Sequence, residues 1–164
     1  MAKTGTITIR VGPRPGDLGT VLAMHGELYA REYGYDERFE ALVAGIVAKF
    51  VQHFDPARER CWIAAIDGEA VGSVFLVRQS KSVAKLRLLL VEPTARSLGL
   101  GKRLVEECIA FARAKGYRKL VLWTQSNLSA ARAIYKGAGF RLVSREPHQS
   151  FGAKLTGEYW ALDL

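Results

Sequence analysis

The feature that most constrains the fold is a strand, a glycine turn and an amphipathic helix in immediate succession. The apolar run that ends at Val91 is typical of a buried strand, and ARSLGLGK follows it at residues 95–102, with glycine at Gly99 and Gly101. The next residues place their apolar side chains on one helical face, and Gly116 ends that helix. Glycines at a helix start let backbone N–H groups approach a ligand closely, often a phosphate. The sequence therefore predicts an α/β protein with a candidate anion site at this turn.

Periodicity and turn residues predict the remaining elements. Polar and apolar residues alternate over residues 6–11, and two helices follow, for which Asp17 and Asp36 are the expected N-caps. The pair Asp67-Gly68 separates two β-rich runs and is typical of a tight hairpin turn. The predicted order is β-α-α-β-β-β-α-β-α-β-β, a mixed α/β arrangement in a single domain over residues 1–164.

The net charge of +8 raises nucleic acid as a partner, but its distribution argues against one. Between Arg78 and Lys119, eleven basic residues stand against three acidic ones, which accounts for the whole charge. Residues 27–40 are acidic and aromatic, with a net charge of −3. A basic face at the turn and a separate acidic segment fit an anionic cofactor and a cationic substrate, and the alternative is solvated surface charge that binds no partner. We expect no nucleic-acid partner.

Other classes of protein are excluded by what the sequence lacks. No charged segment followed by a long apolar run opens the chain, and the longest aliphatic run is only residues 88–91, far too short to span a membrane. We therefore expect a cytoplasmic protein that does not contact a membrane. Cys61 and Cys108 lack metal-ligand spacing and lie within apolar patterns, so we expect buried free thiols and no metal site.

Two common phosphate-binding motifs do not fit the glycine turn. A P-loop needs a hydroxyl residue after its lysine, and here Arg103 follows Lys102. A Rossmann fingerprint needs a third glycine where Leu104 stands. The stretch from Arg96 to Gly101 does match R-x-x-G-x-G/A. Taken alone, this short pattern leaves a plain tight turn as an equal alternative.

A second stretch of sequence favours a ligand-binding turn over a plain tight turn. The stretch LVLWTQSNLSAARAIYKGAGF, at residues 120–140, places a strand, an Asn, a Tyr eight residues later and a Gly-Phe exit in order. Together the two blocks resemble motifs A and B of the GCN5-related N-acetyltransferase (GNAT) family. HGELYAREYG, RCWIAAIDGEAVGSVFLV, AKLRLLLVEPTAR and SFGAKLTGEYWALDL further resemble the acetyltransferase half of bacterial fusions with an N-terminal MarR-type regulator. The resemblance implies a largely antiparallel central sheet of about seven strands, flanked by about four helices.

The resemblance also implies acetyl-CoA as the cofactor, with its pyrophosphate on N–H groups at the start of the helix. The turn residues that would bind it are Leu98, Gly99, Leu100, Gly101 and Lys102. Arg96 would either contact the cofactor or be a solvated surface charge. Ser97 and Leu98 depart from the family, which often has glycine and a basic residue there. In this family the preceding strand offers a backbone N–H to the thioester carbonyl, which points to Leu90 or Val91.

The reaction that the resemblance implies is direct attack of an amine on the thioester. Tyr135 would hydrogen-bond to the departing thiolate, unless it is only a core tyrosine. Asn127 would contact the pantetheine arm, cap its helix, or both, and Ser126 could cap instead. Glu92 could act as general base through water or only border the turn, and Glu27 could bind an ammonium group. The lone histidines, His25 and His148 among them, are expected to be structural.

These observations predict an acetyl-CoA-dependent N-acetyltransferase that acts on a primary amine of a small molecule, amino acid or peptide. The alternative is a regulatory or interaction module that binds CoA or acetyl-CoA without efficient turnover. The expected partners are the amine substrate and, as one option, a second copy of the chain.

Overall fold

The computed structural model describes residues 5–164, which form one seven-stranded sheet with helices on both faces. The strands are β1 (Ile7–Gly12), β2 (Arg60–Ile66), β3 (Glu69–Arg78), β4 (Val83–Val91), β5 (Lys119–Gln125), β6 (Arg141–Ser150) and β7 (Ala153–Asp163). The helices are α1 (Asp17–Tyr33), α2 (Glu37–Gln52), α3 (Leu100–Ala114) and α4 (Ser129–Gly137), with a short 3₁₀ turn at Pro93–Ala95. The predicted order of elements is confirmed.

The strand order in the sheet is β1-β2-β3-β4-β5-β7-β6. Every neighbouring pair is antiparallel except β4 and β5, which run parallel, so the prediction of a largely antiparallel sheet is confirmed. The β2–β3 hairpin turns at Asp67 and Gly68, both of which have positive φ. That backbone is the one a tight two-residue hairpin needs, and it matches the twist of the flanking strands.

The core lies in two layers, one on each face of the sheet. Helices α3 and α4 cover one face through a cluster that includes Leu104, Cys108 and Leu120. Helices α1 and α2 cover the other face through a smaller cluster that includes Val21, Val43 and Phe75. Cys61 and Cys108 are both buried free thiols, as predicted. No helix among residues 5–164 is long and apolar enough to cross a membrane.

Of the N-caps predicted for α1 and α2, one is wrong. Asp36 caps α2, since its carboxylate accepts a hydrogen bond from the Arg38 N–H. Asp17 does not cap α1, because Gly16 occupies that position in a left-handed conformation. The Asp17 carboxylate instead accepts two hydrogen bonds from the Arg10 guanidinium, at 2.9 and 2.8 Å, and this pair lowers the pKa of Asp17. Asp17 therefore ties the first strand to the first helix.

Candidate active site

A cleft opens where β4 and β5 separate. The two parallel strands pair only over Val83–Lys85 and Lys119–Val121, and both then continue without pairing to each other. β4 runs on to Val91 and β5 to Gln125. The backbone edges of the diverging strands are therefore available to a ligand, and α3 and α4 start at the same end of the sheet.

A bulge in β4 shapes the wall of this cleft. Ser73 pairs with Leu90 and Phe75 with Arg87, so two residues of β4, Leu88 and Leu89, stand opposite one residue of β3. Leu88 has a φ of 54°, and its carbonyl accepts a hydrogen bond from the Ser73 hydroxyl at 2.9 Å. Such a bulge re-aims the strand and is often found beside a functional site.

The ladder beyond the bulge determines which N–H group faces the cleft. The Glu92 N–H donates to the Val71 carbonyl at 2.8 Å, which makes these two residues a hydrogen-bonded pair. Residues of an antiparallel pair alternate in this respect, so Leu90 bonds to β3 while the Val91 N–H turns away from it. Of the two predicted N–H donors, the ladder therefore favours Val91.

A first cavity of about 370 Å³ lies at the start of α3. Seven of the nine predicted cofactor-binding residues line it: Leu90, Val91, Arg96, Gly99, Leu100, Gly101 and Lys102. Leu98 does not line it and is exposed at the surface. Side chains from α1 and α4 complete the walls, which are mostly apolar. The glycine turn, the end of β4 and two helices thus surround one ligand-sized space.

The start of α3 presents unpaired N–H groups to this cavity. Gly99 occupies the N-cap position with a φ of 73° and no side chain caps the helix. The first intrahelical bond runs from the Arg103 N–H to the Gly99 carbonyl, so the N–H groups of Leu100, Gly101 and Lys102 have no helical acceptor. Together with the helix dipole they form a site suited to a phosphate group.

Gly101 also has a packing role. It is buried, and a Cβ atom built on it would lie 2.7 Å from the Ile134 Cδ1 atom of α4. A side chain at this position would therefore require the end of the Ile134 side chain to move. Ser97 has a φ of 69°, a left-handed conformation that glycine adopts most easily. This is a position where the family often has glycine.

A second cavity, of about 410 Å³, lies on the other side of the cleft. Tyr29, Leu89, Leu128 and Ala131 line both cavities, so the two spaces meet at the bulge of β4. Tyr29, Tyr35 and Phe39 of the segment 27–40 line this cavity, but none of its five acidic residues lines either cavity, and two of them are paired elsewhere. Glu32 pairs with Arg96 and Asp36 with Arg38. The structure therefore gives no support to a cationic substrate bound by this acidic segment.

Tyr135 lines the second cavity from α4. The residue is 5% exposed, and its ring packs against Phe140 with the ring centroids 5.7 Å apart. Burial raises the pKa of its hydroxyl well above the ordinary range, and the nearby Tyr29 contributes to the rise. The hydroxyl therefore keeps its proton and is available as a hydrogen-bond donor.

His25 also lines the second cavity, although the sequence suggested only a structural role. It is 1% exposed and packs against the ring of Tyr29. Its Nδ1 atom lies 2.8 Å from the Val21 carbonyl, which can only accept, so Nδ1 carries the proton and Nε2 a lone pair. Nε2 has no hydrogen-bond partner among the described residues. Burial lowers the pKa of His25 to about 4, so the ring is neutral at physiological pH.

The structure does not bring three other predicted residues to either cavity. Glu27 is exposed on α1, on the side away from Tyr29, and Glu92 is half-buried where β4 ends. Asn127 is exposed and lines a separate, shallow cavity with Lys154 and other residues of β6 and β7. Asn127 and Ser126 do not cap α4, because Leu128 is the N-cap and no side chain bonds there.

Asn127 does lie near Tyr35 at the edge of the second cavity. Burial raises the pKa of Tyr35 to about 12, and the Asn127 amide counteracts part of that rise. The Tyr35 hydroxyl itself is buried without a hydrogen bond of good geometry to any described residue. Two buried polar atoms beside this cavity, one on His25 and one on Tyr35, therefore have no hydrogen-bond partner among residues 5–164.

Comparison with known proteins finds a family that the chain matches. A family model described as acetyltransferase (GNAT) matches residues 26–140. An uncharacterized N-acetyltransferase of Schizosaccharomyces pombe is 30% identical over 150 residues, which is 90% of each chain. The mycothiol acetyltransferase of Beutenbergia cavernae is 29% identical over 101 residues, and the match covers 60% of this chain but only 33% of that protein.

Solved structures share the fold at low sequence identity. The structure of yncA from Salmonella typhimurium with its cofactor acetyl-CoA has a TM-score of 0.75 and is 18% identical, over 96% of this chain and 93% of that chain. A ribosomal-protein-alanine N-acetyltransferase from Brucella melitensis has a TM-score of 0.77 and is 20% identical, over 96% and 99%. At these identities the likeness is one of fold.

Proposed function

Because the chain belongs to the acetyltransferase (GNAT) family, we propose that it transfers the acetyl group of acetyl-CoA to a primary amine of a small molecule, amino acid or peptide. The observation that carries the proposal is the pair of cavities that meet at the bulge of β4. One cavity has an anion site at its end, and the other holds a buried tyrosine and a neutral histidine. A cofactor and an acceptor could therefore approach the same point of the cleft from opposite sides.

The residues of the first cavity fit acetyl-CoA. The N–H groups at the start of α3 and the ammonium group of Lys102 would hold the pyrophosphate. The apolar walls, Leu90 and Leu128 among them, would enclose the pantetheine arm. When bound, acetyl-CoA supplies an electrophilic thioester carbonyl and a thiolate leaving group.

The backbone N–H of Val91 is suited to the thioester carbonyl. It faces the gap between β4 and β5, and the β3–β4 ladder fixes its position through the bond from Glu92 to Val71. A fixed N–H that donates to a developing oxyanion lowers the barrier without any reorganisation of the protein. We assign this role to Val91 rather than to Leu90, whose N–H belongs to the ladder.

The hydroxyl of Tyr135 is suited to donate a hydrogen bond to the thiolate leaving group. The ordinary pKa of a thiol is about 8.5, below that of tyrosine, and burial raises the pKa of Tyr135 further. Complete proton transfer from Tyr135 to the thiolate is therefore unfavourable, and its role is a hydrogen bond that stabilises the departing sulfur.

The side chain of His25 is suited to orient the amine of the acceptor. The Nε2 lone pair can accept a hydrogen bond from an N–H group of the acceptor and orient it towards the carbonyl. Because this imidazole is neutral down to about pH 4, it is a weak base, and the amine must lose its extra proton to water. We therefore propose His25 as an orienting residue and assign no general base to Glu27 or Glu92.

The proposal is tested by binding and turnover together. Acetyl-CoA and CoA should each raise the melting temperature at fixed salt, whereas ATP should not, since a ligand at about 100 times its Kd stabilises the native state by roughly 2.7 kcal/mol. Release of free thiol from acetyl-CoA should then depend on an added amine. Binding without amine-dependent release would indicate a CoA-binding module and would contradict the enzyme proposal.

A further inference from the structure

Two cations of β4 face the second cavity. Lys85 and Arg87 are two residues apart on the strand, so their side chains point to the same face of the sheet. Both line the cavity and both are half-buried. They precede the bulge, which lies only one residue beyond Arg87, so they stand beside the point where the two cavities meet.

Neither cation has an acidic partner within the described part of the chain. Lys85 and Arg87 form no ion pair and no side-chain hydrogen bond with any of residues 5–164. Burial lowers the pKa of both groups, and the neighbouring Arg87 lowers that of Lys85 further. The protein thus holds two like charges together in a partly desolvated place, which is unfavourable unless an anion binds there.

Two other partly buried cations are paired with carboxylates. Arg10 binds Asp17, and Arg132 binds Glu158, a carboxylate with 0% exposure. What distinguishes Lys85 and Arg87 is that two such cations lie side by side in one cavity with no carboxylate bound to either among residues 5–164. Glu146 also lines that cavity, but it is exposed on β6 and forms no ion pair with either cation.

We infer that the acceptor is an amine that also carries a carboxylate, and that Lys85 and Arg87 bind this carboxylate. The inference rests on the proposed function and narrows its substrate class. A guanidinium group can bind a carboxylate through two parallel N–H donors, and the ammonium group of Lys85 adds a third point of attraction. The amine end of such an acceptor reaches the region of Val91 and His25. Amines that carry no carboxylate are poor acceptors, because Lys85 and Arg87 repel their positive charge.

The test compares each of the common L-amino acids with its carboxamide, which keeps the amine and loses the negative charge. Thiol release from acetyl-CoA is measured for the wild type and for Lys85→Gln, Arg87→Gln and the double variant. The wild type should use at least one amino acid with a kcat/KM at least about tenfold above that of its amide, as expected for hydrogen bonds between charged groups. The double variant should lose this preference, and its kcat/KM for the amide should be at or above that of the wild type, because the repulsion between the two cations and the ammonium group of the amide is removed.

Controls separate the possible outcomes. Lys119→Gln removes one positive charge from β5, outside both cavities, and should keep the preference for the acid. Thermal shift with CoA checks that each variant is folded and binds the cofactor.

Wild-type activity with equal use of acids and amides would overturn the inference and leave the enzyme proposal intact. Weaker CoA binding in the double variant would mean that the cations serve the cofactor, and would also overturn it. No turnover with any amine despite CoA binding would contradict the proposed function itself.

Discussion

The guanidinium group of Arg96 donates two hydrogen bonds to the carboxylate of Glu32, at 2.9 and 2.6 Å. A third, longer bond of 3.3 Å runs from the same group to the Val91 carbonyl. Arg96 therefore connects helix α1 to the end of β4 at the mouth of the first cavity. The sequence left Arg96 either as a contact of the cofactor or as a solvated surface charge, and in the structure its guanidinium group is paired with α1.

This pairing predicts that Arg96→Gln and Glu32→Gln have similar effects. Each should lower the free energy of unfolding by no more than about 1 kcal/mol, since the pair is partly exposed, and the double variant should add little. Each should also weaken acetyl-CoA binding to a similar, small extent, measured by titration calorimetry. A loss of more than about tenfold in Arg96→Gln alone would indicate direct contact with the cofactor instead.

Tyr135→Phe should lower kcat by roughly 10² to 10⁴-fold while leaving the Kd for acetyl-CoA nearly unchanged. The variant removes one hydroxyl from a side chain that is otherwise packed against Phe140. Tyr117→Phe is the matched control, because Tyr117 is also buried but donates its hydroxyl hydrogen bond to the Arg58 carbonyl, far from the cleft. Equal kcat values for the two variants would remove Tyr135 from the mechanism.

The buried His25 predicts a pH dependence of stability. The unfolded imidazole binds a proton below about pH 6.5, whereas the folded one binds it only below about pH 4. Between these values protonation favours the unfolded chain, so the free energy of unfolding should fall by up to about 1.4 kcal/mol per pH unit as the pH drops.

Urea denaturation at several pH values checks this dependence. His25→Leu should lose this part of the slope, because it removes the titrating group. His53→Leu, at the exposed end of α2, should retain it. The same slope in His25→Leu as in the wild type would mean that other groups cause the acid sensitivity.

The glycine turn offers a prediction about backbone strain. Ser97 has a φ of 69°, and Ser97→Gly should raise the free energy of unfolding by about 0.5 to 1 kcal/mol, since glycine adopts this conformation without strain. Gly99→Ala should lower it by roughly 1 to 2 kcal/mol for the opposite reason. A Cβ atom on Gly99 would meet nothing within 4 Å, so the effect is conformational rather than steric. Chemical denaturation of both variants measures these shifts, and a destabilised Ser97→Gly would contradict the strain.

The order of the elements could be predicted because each element has a short-range sequence pattern. Alternating residues, helical stripes and turn pairs such as Asp67-Gly68 are short-range signals, and the structure follows them. The two wrong caps, Asp17 and Asn127, show the limit of such signals. A suitable side chain stands near each helix start, but Gly16 and Leu128 take the cap positions once the flanking strands are packed.

The contacts of the site are long-range and leave no local pattern. Arg96 and Glu32 are separated by 64 residues, so no spacing rule could pair them. His25 is one of three histidines, and only the packing of α1 against the sheet places it in a cavity. The sequence left Glu27 as a residue that could bind an ammonium group, but it is exposed on α1 and lines neither cavity. Seven of the nine residues predicted to bind the cofactor line the first cavity, and all seven lie in the glycine turn or at the end of the preceding strand, where the sequence pattern is local.

The most direct test of the account measures free CoA and N-acetylated product in the same reaction, with acetyl-CoA and a panel of primary amines. The account predicts equal amounts of the two products for at least one amine, at a rate far above that without protein, and a large loss of both in Tyr135→Phe. CoA binding by the wild type with no amine acetylated, or acetylation that is unchanged in Tyr135→Phe, would contradict it.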